Sequence, residues 1–243
     1  AQTAKQVVMQ RIREAERNII YEEFSGRETD IVTGIVQRFD KKNIVIDLGK
    51  TEVLLPPNEH IPSEKYDQGD RIKVFILEVK RTTKGPQITV SRSHPGLIKR
   101  LFELEVPEIF DGIVEIKGIS REAGSRTKIA VNSKNENVDP VGACVGPKGS
   151  RVQAIVDELQ GEKIDIVKWD KNTSDYISNS LSPAKVLNVV IEENTKTARV
   201  LVSDNQLSLA IGKEGQNARL SAKLTGWKID IKSQGDIETP IQD

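Results

Sequence analysis

Apolar positions along the 243-residue chain change their spacing twice, and these changes divide the sequence into regions of different predicted structure. From Ala4 to Phe24 apolar residues recur every three or four positions, which predicts a helix. From Arg27 to Arg92 short alternating runs between turn-rich segments predict strands. The predicted strands are Ile31–Val36, Ile44–Leu48, Glu52–Leu55, Ile72–Val79 and Gln87–Val90.

This many short strands in so short a stretch indicates a small closed barrel of the OB type, which leaves one face for oligonucleotides. We place one boundary at residue 26, after the helix. A second boundary follows residue 92, because Ser93-His94-Pro95-Gly96 interrupts regular structure. The barrel is therefore the first candidate binding element.

The rest of the chain contains one order of elements twice. In residues 93–170 the pattern predicts α-β-β-α-loop-α-β, and the same order returns in residues 171–243. A second landmark supports the repeat, because Lys163-Ile164-Asp165-Ile166 reappears as Lys228-Ile229-Asp230-Ile231. We therefore predict an α+β multidomain protein made of a helix (1–26), a barrel (27–92) and two repeated units (93–170 and 171–243).

Each repeat carries a Gly-x-x-Gly loop between two predicted helices, namely Gly146-Pro147-Lys148-Gly149 and Gly212-Lys213-Glu214-Gly215. Glycine has no Cβ, so a phosphate can come close to such a loop. We expect unpaired N–H groups and partial positive charge at the start of the next helix to stabilise an anion. Lys148 with Arg151, and Lys213 with Arg219, would add mobile positive charge. One such loop is more often a plain turn, but two in matching contexts indicate phosphate binding.

A Gly-x-x-Gly loop in this context resembles that of KH domains, which clamp about four nucleotides of RNA backbone. The final strand after the second helix resembles the type II KH arrangement of bacterial proteins. We therefore predict two tandem KH domains that bind single-stranded RNA. The candidate RNA-binding residues are Gly146, Pro147, Lys148, Gly149, Ser150, Arg151, Gly212, Lys213, Glu214, Gly215, Gln216, Asn217 and Arg219.

The whole chain resembles the NusA family of bacterial transcription elongation and termination/antitermination factors. The matching stretches are Arg11–Arg17, Val32–Val36, Asp139–Gly146, Ser180–Ala184 and Gln206–Lys213. The resemblance implies an S-one-type barrel and KH domains that contact nascent RNA and modulate pausing, termination and antitermination. It implies RNA polymerase as a partner, bound mainly through an N-terminal domain of which residues 1–26 would be the last helix. Other antitermination factors are further implied partners.

The barrel departs from the family pattern in one respect. Many S-one barrels stack bases on aromatic residues of the second and third strands, and here Ile44–Leu48 and Thr51–Leu55 contain none. The residual RNA-binding candidates of the barrel lie near its first turn and are Arg38, Phe39, Lys41 and Lys42. They compete with the simpler interpretation that Phe39 packs inside and the lysines are merely solvated.

Composition adds mainly exclusions. Lys plus Arg and Asp plus Glu both number 36, so the net formal charge is zero and any RNA-binding charge must be local. Cys144, His60 and His94 provide neither a disulfide framework nor a usual zinc site. No carboxylate pair adjoins a nucleophile or base, so we expect no catalytic residues, no metal and no cofactor.

No apolar run is long enough to cross a bilayer. We expect a cytoplasmic protein without a membrane partner. The alternative function is that of an RNA-binding module in a ribosome-associated or RNA-degradation protein, since KH and S-one domains occur there too.

Overall fold

The computed structural model describes residues 2–238. Residue 1 and residues 239–243, which end the second predicted repeat, lie outside the described part. By internal contacts the chain forms two compact units, Ala1–Leu101 and Phe102–Asp243. Among the described residues, no helix has both the length and the apolar character that a bilayer crossing requires.

The first unit consists of a long helix and a closed five-stranded barrel. Its elements are α1 (Gln2–Ser25), β1 (Ile31–Asp40), β2 (Asn43–Asp47), β3 (Glu52–Leu55), β4 (Arg71–Thr82) and β5 (Gly85–Ser91). The strands close in the order β1-β2-β3-β5-β4, and only β3 and β5 pair in parallel. Inward positions of each strand are apolar, and Phe24 at the end of α1 joins the same core. The predicted barrel is therefore confirmed.

The second unit contains the two repeats, and α2 begins just before it. The first repeat has α2 (Pro95–Glu105), α3 (Pro107–Phe110), β6 (Val114–Glu122), β7 (Arg126–Ser133), α4 (Pro140–Val145), α5 (Ser150–Glu158) and β8 (Lys163–Lys168). The second repeat has α6 (Thr173–Ser180), β9 (Val186–Glu192), β10 (Thr197–Val202), α7 (Leu207–Ile211), α8 (Gln216–Thr225), β11 (Lys228–Ser233) and α9 (Gln234–Glu238). The predicted order of elements is confirmed, and α3 and α9 are additions to it.

Each repeat forms one three-stranded sheet with the same pairing. The orders are β6-β7-β8 and β9-β10-β11, with the first pair antiparallel and the second parallel. Lys163 pairs with Arg126, and Lys228 pairs with Thr197, so the repeated Lys-Ile-Asp-Ile segments begin the same strand in both sheets. We call the two repeats KH1 and KH2.

Candidate nucleic-acid interface

The two Gly-x-x-Gly loops share one backbone conformation. The φ and ψ angles agree within a few degrees at matching positions: Gly146 (74°, 174°) and Gly212 (78°, 168°), Lys148 (52°, 27°) and Glu214 (53°, 28°), Gly149 (77°, 13°) and Gly215 (73°, 14°). Positive φ at a residue other than glycine is uncommon, and here it recurs at the same place in both loops. The loops are thus structural equivalents as well as sequence equivalents.

The two glycines of each loop are required for different reasons. A Cβ on Gly146 would lie 2.5 Å from Cγ of Arg151, and one on Gly212 would lie 2.7 Å from the backbone nitrogen of Asn217. A Cβ on Gly149 would meet nothing within 4 Å. The first glycine therefore allows the loop to pack on the following helix, whereas the second leaves the outer side of the loop open to a ligand.

Each loop closes on itself before the next helix begins. The N–H of Gly149 donates to the carbonyl of Gly146 at 3.1 Å, and the N–H of Ser150 donates to the carbonyl of Pro147. KH2 repeats both bonds, including that from Gln216 to the carbonyl of Lys213. The expectation of an unpaired N–H at the first helical residue is therefore wrong for Ser150 and Gln216. The loop is instead a stiff, internally hydrogen-bonded turn.

Two loop lysines remain exposed, while Arg151 does not act as a mobile charge. Within residues 2–238 neither Lys148 nor Lys213 forms an ion pair. Arg151 Nη1 donates to Glu108 Oε2 at 2.9 Å and to the carbonyl of Ala143 at 2.6 Å. Arg151 is thus committed to holding α5 against α3 and α4, which corrects its expected role.

Asn217 holds the same place in KH2 that Arg151 holds in KH1, five residues after the first glycine. Its side chain is buried, and Nδ2 donates to the carbonyls of Leu181 at 3.1 Å and Ala210 at 2.9 Å. Both side chains therefore fasten the helix after the loop to the helix before it. Asn217 has a supporting place in the site and does not face solvent.

Two further candidates of KH2, Arg219 and Gln216, form hydrogen bonds with KH1. Arg219 Nε and Nη2 donate to the two oxygens of Glu122 at 2.5 and 3.1 Å. Gln216 Nε2 donates to Glu122 at 2.9 Å and to Ser125 Oγ at 2.7 Å. The hydrogen bond from Arg219 holds the pKa of Glu122 below its ordinary value, and Glu122 in turn raises the pKa of Arg219. The second loop is thereby fixed against the β6–β7 hairpin of KH1.

A second polar link joins KH1 and KH2 deeper in the interface. Lys128 Nζ, with a fully buried side chain, donates to Asp165 Oδ2 at 3.0 Å and to the carbonyl of Ser182 at 2.8 Å. Burial lowers the pKa of Lys128, and the neighbouring Asp165 opposes that shift only in part. Asn179 Nδ2 adds a bond to the carbonyl of Lys168 at 3.1 Å. KH1 and KH2 are therefore joined by packed contacts as well as by their short connection.

Between the β6–β7 hairpin and the second loop lies an open cleft of about 370 Å³. Its basic lining comes from both domains, with Arg126 and Lys163 from KH1 and Lys213 from KH2. Arg126 shares the single carboxylate of Asp165 with Lys128, each at 3.0 Å, so the lining as a whole carries excess positive charge. The cleft extends the loop surface from one domain to the other.

The barrel candidates are all exposed, but they are not equivalent. Arg38 forms a two-pronged pair with Glu52 at 2.6 and 2.8 Å, and that hydrogen bond raises the pKa of Arg38 and lowers that of Glu52. Phe39 is 55% exposed, so the interpretation that it packs inside is wrong. Lys41 and Lys42 are exposed at the same β1–β2 turn. Their contact with RNA stays a prediction.

Other candidate chemistry is confined to packing. Cys144 is fully buried on α4, and burial raises the pKa of its thiol to about 12, which makes it an inert core residue. Among residues 2–238, no group of three or more His, Cys, Asp or Glu side chains could hold a metal ion.

An OB-type barrel followed by two tandem KH units with matching loops defines an RNA-binding protein of the KH class. Residues 27–91 match the S1 RNA binding domain, 92–169 the NusA-like first KH domain, and 173–239 the NusA-like second KH domain.

Relatives named "Transcription termination/antitermination protein NusA" match nearly the whole chain. That of Bacillus subtilis is 66% identical over 236 residues, covering 97% of this chain and 64% of the relative. That of Halalkalibacterium halodurans is 65% identical over 238 residues, with 98% and 62% covered. That of Mycobacterium bovis is 49% identical over 249 residues, with 99% and 71% covered. The chain belongs to the NusA family. It spans less than two thirds of the length of the first two relatives.

Proposed function

We propose that this chain binds single-stranded RNA across KH1 and KH2, as part of a factor that contacts nascent RNA and RNA polymerase and modulates pausing, termination and antitermination. The observation that carries the proposal is the joined pair of loops. They share one backbone conformation, and Arg219 and Gln216 fix the second loop to KH1. Neighbouring sites held in this way bind one strand far better than two separate sites, because the second contact becomes intramolecular.

The geometry divides the candidate residues into two groups. We assign direct contact with RNA to the open sides of the loops and to the first residue of α5, that is, to Pro147, Lys148, Gly149, Ser150, Lys213, Glu214 and Gly215. We assign support of loop shape and domain joining to Gly146, Arg151, Gly212, Gln216, Asn217 and Arg219. Single strands are the expected ligand because base edges of duplex RNA are hidden in a deep, narrow groove.

Four further proposals accompany this function. We retain the domain boundaries 27–92, 93–170 and 171–243 with the preceding helix 1–26. We infer a binding role without catalysis, in keeping with relatives named as transcription termination/antitermination proteins. We also infer a cytoplasmic location, where nascent bacterial transcripts are made. RNA polymerase and other antitermination factors are the proposed protein partners.

The test replaces Pro147 and Lys148 by Asp in one variant and Lys213 and Glu214 by Asp in another. A unit charge about 4 Å from a phosphate contributes about 1 kcal/mol in water. The first variant changes the loop charge by three units and the second by two, which predicts roughly 100-fold and 30-fold weaker binding in a fluorescence-anisotropy titration. Asp tolerates positive φ better than most residues, so the fold should persist.

The chain supplies a matched control for charge and backbone. Lys196 lies in the β9–β10 turn with φ of 52°, the same value as Lys148. Replacing Thr195 and Lys196 by Asp makes the same charge change away from the loops, and we expect nearly unchanged RNA affinity. If the variant altered in both loops binds RNA normally while its melting curve is unchanged, the assignment is wrong.

A further inference from the structure

The sheets of KH1 and KH2 differ in how many faces are covered. In β7 every residue from Thr127 to Val131 is buried, so both faces of the KH1 sheet are covered. In β10 burial alternates, with Ala198 and Val200 buried and Arg199 exposed between them. One face of the KH2 sheet is therefore open. We call it the outer face, and it carries Leu187, Val190, Glu192, Arg199, Leu201 and Asp230.

KH2 itself covers the corresponding face of KH1, and three charged side chains of KH1 anchor it. Glu122 accepts hydrogen bonds from Arg219 on α8. Lys128 donates to the carbonyl of Ser182, just beyond the end of α6, and is held in place by Asp165. These contacts show what this type of sheet face binds in this protein. The face of KH1 binds the helices α6 and α8 of KH2. The chain just beyond α6 accepts a hydrogen bond from Lys128, and α8 presents Arg219 to Glu122.

The outer face of KH2 has a residue of the same charge at the position of each of these three anchors. Lys128 pairs across strands with Asp165, and Arg199 pairs across the same two strands of its own sheet with Asp230. Glu122 is the last residue of β6, and Glu192 is likewise the last residue of β9, each closing its hairpin. The outer face thus repeats the charge pattern of a surface that is already an interface.

The outer face also has the surface character of an unoccupied interface. Leu187 and Val190 are 53% and 52% exposed on β9, an edge strand of the sheet. Arg199 pairs with Glu192 at 2.7 Å, but its side chain is 63% exposed. An exposed pair of this kind contributes only about 0–1 kcal/mol, so the guanidinium can be redirected at little cost. Neighbouring exposed apolar side chains bordered by polar ones are typical of protein-binding surfaces.

We propose that the outer face of KH2 docks a helical element of a protein component of the transcription elongation complex. A helix of the partner would end with its free carbonyls over Arg199, and a basic or amide side chain would contact Glu192. This proposal rests on the proposed function, because that function supplies the complex. Glu192 and Asp230 share the face with Lys228 and Lys232, so the repeated anchor pattern, and not the charge of the face, favours a protein helix over RNA. Where KH1 has Gly118 and Ala130 against α8, KH2 has Asn188 and Leu201, so the partner helix must present small side chains there.

The test places a photo-crosslinking amino acid at Val190 or Leu201 of the full-length protein, in a reconstituted elongation complex of RNA polymerase and nascent transcript. The same group at Asn205, an exposed residue on the helical side of KH2, is the control. The same group at Lys148 reports on RNA contact. We expect protein crosslinks from Val190 and Leu201 well above those from Asn205, and an RNA crosslink from Lys148.

A charge variant sharpens the result. Arg199→Glu should lower the crosslink yield from Val190 about tenfold and leave RNA affinity unchanged, whereas Lys196→Glu, with the same charge change in the nearby turn, should do neither. Crosslinks from the outer face only to RNA, only to a second copy of the chain, or no more than at Asn205 would overturn the proposal. Loss of the RNA crosslink at Lys148 would instead count against the proposed function, so the two failures are distinguishable.

Discussion

The two glycines of one loop should respond very differently to the same substitution. In Gly215→Ala the new Cβ has only Arg219 Nη1 at 4.0 Å beside it, and the cost is that of holding Ala at φ of 73°. That cost is about 1–2 kcal/mol. Lost freedom of the unfolded chain offsets about 0.4–1 kcal/mol of it. We expect a net destabilisation of about 1 kcal/mol.

Gly212→Ala meets two penalties at once. Its φ of 78° and ψ of 168° lie in a region that only glycine occupies readily, which costs about 1–3 kcal/mol. The Cβ would also lie 2.7 and 2.8 Å from the backbone nitrogen and Cβ of Asn217, whose side chain is itself held by two buried hydrogen bonds. Overpacking of this kind costs about 1–3 kcal/mol. The sum is about 2–6 kcal/mol, and after the same unfolded-chain offset of about 0.4–1 kcal/mol we expect a net destabilisation of about 3 kcal/mol.

Thermal melting and RNA titration distinguish the two effects. One kcal/mol shifts the midpoint of a unit of this size by about 2–4 °C, so Gly215→Ala should melt a few degrees lower and Gly212→Ala about 10 °C lower. When RNA is titrated at a temperature well below both melting midpoints, Gly215→Ala should bind RNA more weakly than the parent protein. The reason is that its methyl group occupies the open side of the loop. Equal melting shifts would refute the packing argument. Normal RNA affinity of Gly215→Ala would refute the open side as the route of approach.

Three further outcomes are expected. Glu162 is buried and, although burial alone opposes ionisation, hydrogen bonds from Arg121 and its neighbours hold its pKa below 4.5. The ionised Glu162 stabilises the fold above pH 4.5, and this stabilisation is lost as pH falls through the lower pKa of the folded state. In Glu162→Gln the free energy of unfolding, measured with urea, should therefore fall less steeply below pH 4.5 than in the parent protein. Inserting a Gly/Ser linker between Asp170 and Thr173 together with Arg219→Ala should lower affinity for a long RNA by about 10²–10⁴, and an unchanged affinity would contradict the joined surface. RNA affinity should fall with salt at a log–log slope of about −0.7 per phosphate contacted, and a flat response would mean that the lysines do not touch phosphate.

The elements of this fold were predictable from sequence because their signals are local. Strand alternation and turn residues predict the barrel, and the spacing of the two Gly-x-x-Gly loops predicts the repeat. The short helix α3 was missed because it follows α2 after one residue, in a region where the sequence predicted a single helix before the first strand. The positive φ of Lys148 was also missed, because lysine has no preference for positive φ that the sequence could reveal.

The partners of the basic residues were not predictable. Arg151 pairs with Glu108, which is 43 residues away, and Arg219 pairs with Glu122, which is 97 residues away. Only folding brings these carboxylates next to the arginines. From the sequence, both arginines were therefore predicted to be mobile positive charges. Lys128 left a visible signal, since it directly precedes the apolar run Ile129-Ala130-Val131 in a predicted strand. A cation in such a run indicates a buried partner.

Several carboxylates of this neutral chain neutralise basic side chains close to the candidate site. Near the candidate site Glu108, Glu122 and Asp165 each neutralise a basic side chain that shapes a loop or joins the two domains. The exposed charges that remain are Lys148 in the first loop and Lys213 beside Glu214 in the second. A single exposed lysine gives only weak attraction at each loop, because water and salt weaken the field of an exposed charge. Affinity for RNA must therefore come mainly from the fixed spacing of the loops, and weakening the KH1–KH2 interface should cost more binding than removing a loop lysine.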